Sequence, residues 1–227
     1  MSLLSSFTTY IQRHSLLHPQ QKLLLAVSGG VDSVVLCDLC KASGYQFAIA
    51  HCNFQLRGAD SERDEQFVAA LAKQYNVPFF AKRFDTNAIA QAQKTAIEET
   101  ARNLRYTWFA ELLLEEKYDL LLTAHHANDN IETVLMNFFR GTGVRGMRGI
   151  LPKYDKIVRP LLFASKEDIL QYVAAKKLTY VEDYTNAEND YTRNYFRNEE
   201  WIAAGCHIQF FGLSSRPLRQ KSHRVLG

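Results

Sequence analysis

A run of five apolar residues, Leu23-Leu24-Leu25-Ala26-Val27, is cut off without transition by Ser28-Gly29-Gly30. A segment this short and this uniformly apolar reads as a strand covered on both faces, and paired glycines at its end predict a sharp turn. Val31 to Ala42 then takes helical spacing, with Val34, Val35, Cys37, Leu39 and Cys40 clustered on one broad face. A buried strand feeding a helix in this way opens a βαβ unit. It commits the chain to a parallel sheet with helices on its faces.

The alternation continues downstream. Phe47 to Ala50 reads as a second strand and Asp60 to Tyr75 as an amphipathic helix. Val77 to Ala81 is a third strand, with Pro78 near its start, where a missing N–H is tolerated. A helical pattern runs from about Ala88 to Glu116, with a break near Lys94. Leu120 to Ala124 is a fourth strand, and Asn128 to Phe139 another helix. A short strand at Ile157-Val158, a turn at Pro160 and a helix from about Lys166 to Lys176 complete the unit. The expected fold is α/β: a doubly wound, Rossmann-like parallel sheet with a short α-rich C-terminal appendage. Ligands of such sheets gather at the carboxyl ends of the strands, so Ser28, His51 and His125 should share one rim.

Composition narrows the setting. Hydrophobic residues make up 47% of the 227, charged ones 22%, and no apolar run reaches the roughly 18 residues of a membrane span. Met1 to His14 lacks the layout of a signal peptide, and four cysteines are too few for a disulfide framework. The expectation is a cytoplasmic protein with no membrane association. A net charge of +3 is small for a nucleic-acid binder, so any grip on RNA must come from local clusters or another domain. Cys37 and Cys40 lie within an apolar helix face and read as packing, not as a metal pair.

The loop Ser28-Gly29-Gly30-Val31-Asp32-Ser33 carries the chemistry. Glycines let the backbone approach an anion, and the helix start aims free N–H groups and the positive end of its dipole at the same spot. Ser28 and Ser33 add hydroxyls. Asp32 fits beside phosphates only if a divalent cation, Mg²⁺ first among them, or a cationic group lies between. The spacing is neither that of a dinucleotide fingerprint nor that of a Walker loop. It resembles the PP-loop ATP pyrophosphatase superfamily, of the adenine nucleotide alpha hydrolase type, whose signature is SGGxDS after the first strand. The resemblance implies cleavage of ATP between its α and β phosphates. Ser28 through Ser33 would cradle pyrophosphate, and Asp32 would hold the metal.

Four further stretches narrow the branch. They are His51 to Gly58 with Ser61, Glu62 and Glu65; Ala101 to Tyr106; Thr123 to Thr133; and Arg140 to Gly143. Together they resemble the tRNA(Ile)-lysidine synthetase family, over about Leu23 to Asn198. The resemblance implies joining of lysine to C2 of the wobble cytidine in an isoleucine tRNA with a CAU anticodon, through an adenylated base. It also implies that His125, Asp129 and Glu132 belong to the active site. Attack of cytidine O2 on the α-phosphate concentrates negative charge, which Arg105 and Arg140, Arg145 or Arg148 are available to meet. The lysine amine must be neutral to attack, and Asp129 and Glu132, three apart on one helical face, are candidate proton acceptors. His51 reads as an adenosine-side contact. Arg193 and Arg197, four apart, could meet phosphates or the lysine carboxylate.

Other readings remain open from the residues alone. His125 and His126 also read as strand-end residues, Asp129 as a helix N-terminal charge and Glu132 as a capping residue. Cys52-Asn53-Phe54 stands where the family pattern usually has an acidic residue and another histidine. Residues 1–200 are expected to form the ATP-binding catalytic domain. The basic stretch 201–227 departs from the family's usual continuation, where a tRNA-binding region is expected. A PP-loop thiolase, or an ATP-binding domain without turnover, are the alternatives, and a homodimer is left open.

Overall fold

The computed structural model describes residues 2–142 and 148–182. In chain order the elements are α1 (Leu3–Arg13), β1 (Lys22–Ala26), α2 (Val31–Ala42), β2 (Gln46–Asn53), α3 (Ala59–Tyr75), β3 (Phe79–Arg83), α4 (Thr86–Gln93) and α5 (Ile97–Glu115). They continue with β4 (Leu120–Leu122), α6 (Ala127–Phe139), β5 (Lys153–Tyr154), β6 (Ile157–Val158) and α7 (Lys166–Lys176). The strands form one sheet in the order β3-β2-β1-β4-β6-β5, parallel throughout except where β5 pairs antiparallel with β6 at the edge.

The period of two along each strand divides the core. Leu23 and Leu25 of β1, Phe47 and Ile49 of β2, and Leu120 and Leu122 of β4 join one apolar cluster with side chains of α1, α2, α3 and α7. Leu24, Ala48, Ala50 and Leu121 join a second cluster with Trp108, Phe109, Leu112 and Leu113 of α5. Leu23, Leu24 and Leu25 are all fully buried, each worth about 1.5–3 kcal/mol. Both faces of the sheet are therefore covered, which is why β1 carries no polar alternation.

Chain direction decides where a ligand can enter. From β1 the chain moves outward to β2 and β3, then returns to place β4 on the other side of β1. The carboxyl ends of β1 and β4 therefore flank a switch point, where loops diverge and leave a crevice. The expected break near Lys94 is present: Lys94 has φ +56° and ends α4, and α5 starts three residues on.

Three features differ from expectation. Helix α1 was not anticipated; Ser2 caps it, and Phe7 and Ile11 anchor it in the core. Strand β3 lies two residues later, at the sheet edge, so its pattern is largely exposed. Strand β2 runs on through His51, Cys52 and Asn53 because these pair with Ala81, Lys82 and Arg83 of β3. The expected appendage, with Arg193, Arg197 and the stretch 201–227, lies outside the described residues, as does Arg145.

Candidate active site

At the switch point lies a cavity of about 620 Å³, within the usual range for small-molecule sites. Its wall combines the loop after β1 (Ser28, Gly30, Asp32, Ser33), the end of β2 (His51 to Phe54), the end of β4 (Thr123 to His125), Asp129 of α6, and Arg105 of α5. Segments separated by up to a hundred residues thus meet at the one rim expected of them.

The loop is braced from within. Ser33 Oγ accepts a hydrogen bond from Gly29 N (3.2 Å) and donates to Gly30 O (2.8 Å), while Ser28 Oγ accepts from Gly30 N (3.3 Å). The single hydroxyl proton of buried Ser33 therefore shapes the loop. From beyond α7, Val181 N donates to Gly29 O at 3.0 Å. The two glycines do different work. Gly29 has φ +98°, a backbone that L side chains rarely adopt, and a Cβ there would touch Phe67, Val68 and Val181. Gly30 has an extended φ of −68°, and a Cβ there would meet only Ser28 Oγ at 3.5 Å. Packing does not require that glycine. Helix α2 starts on it without any side-chain cap, as α3 and α5 start on Gly58 and Ala96, whereas Ser2, Asp85, His126 and Ser165 cap α1, α4, α6 and α7. The start of α2 lines the cavity through Gly30, Asp32 and Ser33. Amides of the first turn of α2 are thereby left for an anion.

Asp32 would repel that anion. Two unit charges about 4 Å apart cost about 4 kcal/mol at an effective dielectric of 20. Two nitrogens already face its Oδ1: Lys166 Nζ at 2.6 Å and His126 Nε2 at 3.8 Å. Neither Lys166 nor His126 was singled out in the sequence as a site residue. His126 caps α6, its Nδ1 accepting from Asp129 N (3.4 Å), while Asp129 Oδ2 accepts from His126 N (2.9 Å). The acceptor role of Nδ1 puts the proton of the neutral ring on Nε2, the atom nearer Asp32. Among the described residues no group of three or more His, Cys, Asp and Glu could hold a metal. One loop carboxylate nevertheless suits Mg²⁺, which takes one or two protein carboxylates and completes its shell with phosphate oxygens and water.

The remaining candidates separate. His125 lines the cavity, with Nδ1 2.9 Å from Thr123 Oγ1. Asp129 lines it too and doubles as the reciprocal partner in the α6 cap. Glu132 is only 3% exposed and is not part of the cavity wall, and the capping partner of Asp129 is His126, not Glu132. Arg105 of α5 lines the cavity and reaches over the Phe54 ring, 5.1 Å from its centroid. Arg140 ends α6, exposed and outside the wall.

His51 is 4% exposed, and Val27 O accepts from its Nδ1 at 2.8 Å. Burial lowers its pKa most, with the Arg105 charge adding to that, against the Val27 bond and the nearby acids. A neutral ring with Nε2 as acceptor faces the cavity side of β2. Asn53, at a position where the family pattern differs, is occupied internally: Nδ2 donates to Ser61 O and to Glu65 Oε2 (2.7 Å), and Oδ1 accepts from Gln55 N. It braces the turn into α3. Burial pushes the Cys52 thiol up to about 12, so it stays protonated and weakly nucleophilic at neutral pH. Cys37 and Cys40 are fully buried in the core, as expected of packing residues.

The PP-loop domain family matches residues 3–201. The chain belongs to that family. Among curated relatives of this PP-loop chain, a tRNA(Ile)-lysidine synthase of Bacteroides thetaiotaomicron is 44% identical over 83% of the chain and 44% of its own length. That of Parabacteroides distasonis is 46% identical over 83% of the chain and 43% of its own length. That of Chlorobaculum tepidum is 42% identical over 85% and 59%. The resemblance drawn from the motifs is thus borne out, while the chain spans less than half the length of the first two relatives. Solved structures share the fold at low identity. A U34-tRNA thiolase of Methanococcus maripaludis superposes with a TM-score of 0.67 at 16% identity, over 85% of this chain and 70% of its own. An NH3-dependent NAD synthetase of Campylobacter jejuni gives 0.55 at 15% identity, over 88% and 82%. No helix among the described residues is long and apolar enough to cross a membrane.

Proposed function

We propose that this chain is the catalytic unit of a tRNA(Ile)-lysidine synthase, acting in the cytoplasm on ATP, lysine and an isoleucine tRNA with a CAU anticodon. Residues 1–200 would constitute that unit. In the first step cytidine O2 bonds to the α-phosphorus of ATP, the α–β bridge breaks, and pyrophosphate leaves. In the second, the lysine ε-nitrogen bonds to C2, AMP departs with the oxygen, and the amine loses a proton.

The reading is carried by the convergence on one crevice of an uncapped glycine-opened helix start, a lone loop carboxylate, a guanidinium and a second carboxylate. Backbone amides of α2 would receive the departing pyrophosphate, with Gly30 allowing its close approach. Arg105 would meet the charge that builds on the α-phosphate. Asp129, on the cavity wall, is the better proton acceptor for the lysine amine; Glu132, off the wall, would support it from within α6. His125 would orient the base or the nucleotide from the end of β4, and His51 would offer Nε2 to the adenosine. Asp32 would hold Mg²⁺, which when bound neutralises polyphosphate charge. Arg140, Arg145, Arg193 and Arg197 would contact the RNA or the lysine carboxylate.

The test is pyrophosphate release by the 227-residue chain. Release is expected to require both lysine and tRNA with a CAU anticodon, and not to respond to sulfide or glutamine. Release driven by those donors instead would assign the chain to another branch of the family. Asp32→Ala is expected to lose turnover while keeping its circular dichroism spectrum; wild-type rates in that variant would remove the metal role.

A further inference from the structure

Lys166 is the first residue of α7, where the positive end of the helix dipole disfavours a cation. Its side chain leaves that end and reaches across the fold to Asp32, 134 residues away, closing to 2.6 Å on Oδ1. Its base is fixed. Lys166 N donates to Asn128 Oδ1 at 3.0 Å, and Ala127 N donates to Ala164 O at 2.9 Å, so the start of α7 is fastened to the start of α6. Its tip is not confined in the same way: the side chain is 38% exposed, on a flexible stem with three rotatable donors, and Asp32 is 28% exposed. A firmly rooted, partly exposed ammonium therefore stands against the one acidic residue of the phosphate loop.

We propose that Lys166 and a divalent cation are alternative partners of Asp32, and that Lys166 is a polyphosphate-binding residue of this site. In the ion-paired arrangement the ammonium neutralises Asp32, so the loop does not repel an arriving anion. When Asp32 turns to the metal of a metal–polyphosphate, the released ammonium swings to phosphate oxygens within reach of its stem. His126 Nε2, facing the same oxygen from the cap of α6, limits the directions in which the carboxylate can turn. A tertiary clamp between α2 and α7 would give the same ion pair, but a partly exposed pair adds little stability, and a clamp that never leaves Asp32 would not alter pyrophosphate affinity.

The inference rests on the ATP reading of the loop, and the experiment separates the two. Lys166→Met, Lys166→Gln and Lys166→Arg are compared with wild type in the full chain. Mn²⁺ binding without nucleotide is read by electron paramagnetic resonance, and pyrophosphate binding in excess Mg²⁺ by calorimetry. The neutral variants are expected to bind Mn²⁺ at least fivefold tighter, because Asp32 has lost its internal competitor. They are expected to bind pyrophosphate at least tenfold more weakly, with Lys166→Arg within threefold of wild type. Two neutral variants are used so that a folding failure in one leaves the other to decide. Pyrophosphate binding within twofold of wild type in the neutral variants would overturn the proposal in favour of a clamp, and unchanged Mn²⁺ affinity would overturn the competition at Asp32. Wild-type protein that binds no pyrophosphate would instead sink the ATP reading, and the phosphate half of this proposal with it.

Discussion

The two loop glycines offer a decisive comparison, because alanine at each should damage a different property. At position 29 the backbone has φ +98°, and an alanine must adopt it or distort the loop. Such strain costs about 1–3 kcal/mol. The new methyl would lie 3.4 Å from Phe67, Val68 and Val181, an ordinary contact, so conformational strain is the main cost. At about 2–4 °C per kcal/mol for a chain of this size, Gly29→Ala should lower Tm by roughly 4–8 °C if the strain is near 2 kcal/mol. At position 30 the backbone is extended, with φ −68° and ψ 161°, and the space beyond is open apart from Ser28 Oγ. Two small terms oppose each other there. Alanine reduces the entropy of the unfolded chain, worth about 0.4–1 kcal/mol, but is a poorer N-cap than glycine by a similar amount. Gly30→Ala should therefore leave stability within about 1 kcal/mol of wild type. Its methyl would stand where a phosphate must approach, so affinity for ATP–Mg²⁺ should fall at least tenfold, or about 1.4 kcal/mol. Differential scanning calorimetry and isothermal titration on both variants test this. Equal loss of stability in the two, or wild-type nucleotide affinity in Gly30→Ala, would refute the division of labour.

Other outcomes follow from the same geometry. Because burial lowers the His51 pKa below 6.5, protonation favours the unfolded chain. Its contribution is complete above about pH 6.5 and is lost as the pH falls towards the folded pKa, so His51→Gln should flatten the fall in Tm between pH 7 and pH 5; an unchanged slope would exclude this residue as its source. Asp38 accepts from Tyr75 OH (3.2 Å) and Tyr172 OH (2.7 Å), joining α2 to α3 and α7. Asp38→Ala should cost about 2–4 kcal/mol in urea denaturation, and an unmoved midpoint would show that the phenols find equivalent partners. With its thiol pushed up to about 12, Cys52 should react with iodoacetamide at pH 8 far more slowly than a free cysteine of pKa about 8.5. Labelling at the free-thiol rate would contradict its burial.

Much of this protein is written locally. The three consecutive leucines of β1 fix a strand buried on both faces, since no other short element hides every side chain. Helices α2 and α7 begin and end where the sequence pattern says they should, at Val31–Ala42 and Lys166–Lys176. The glycine-opened turn and its acid are likewise legible, because a turn is settled by a few adjacent residues. What tertiary structure alone decided is how separated charges meet. Lys166 and Asp32 lie 134 positions apart and touch only because the return to β4 reverses strand order beside β1 and carries α7 onto the face of α2. Helical spacing put Asp129 and Glu132 on one face, but packing left only Asp129 on the cavity wall. Nor could the sequence distinguish Gly29 from Gly30: the difference lies in one backbone dihedral and in which side chains crowd it. Periodicity is a property of neighbouring residues, whereas the pairing of distant charges depends on the path of the whole chain.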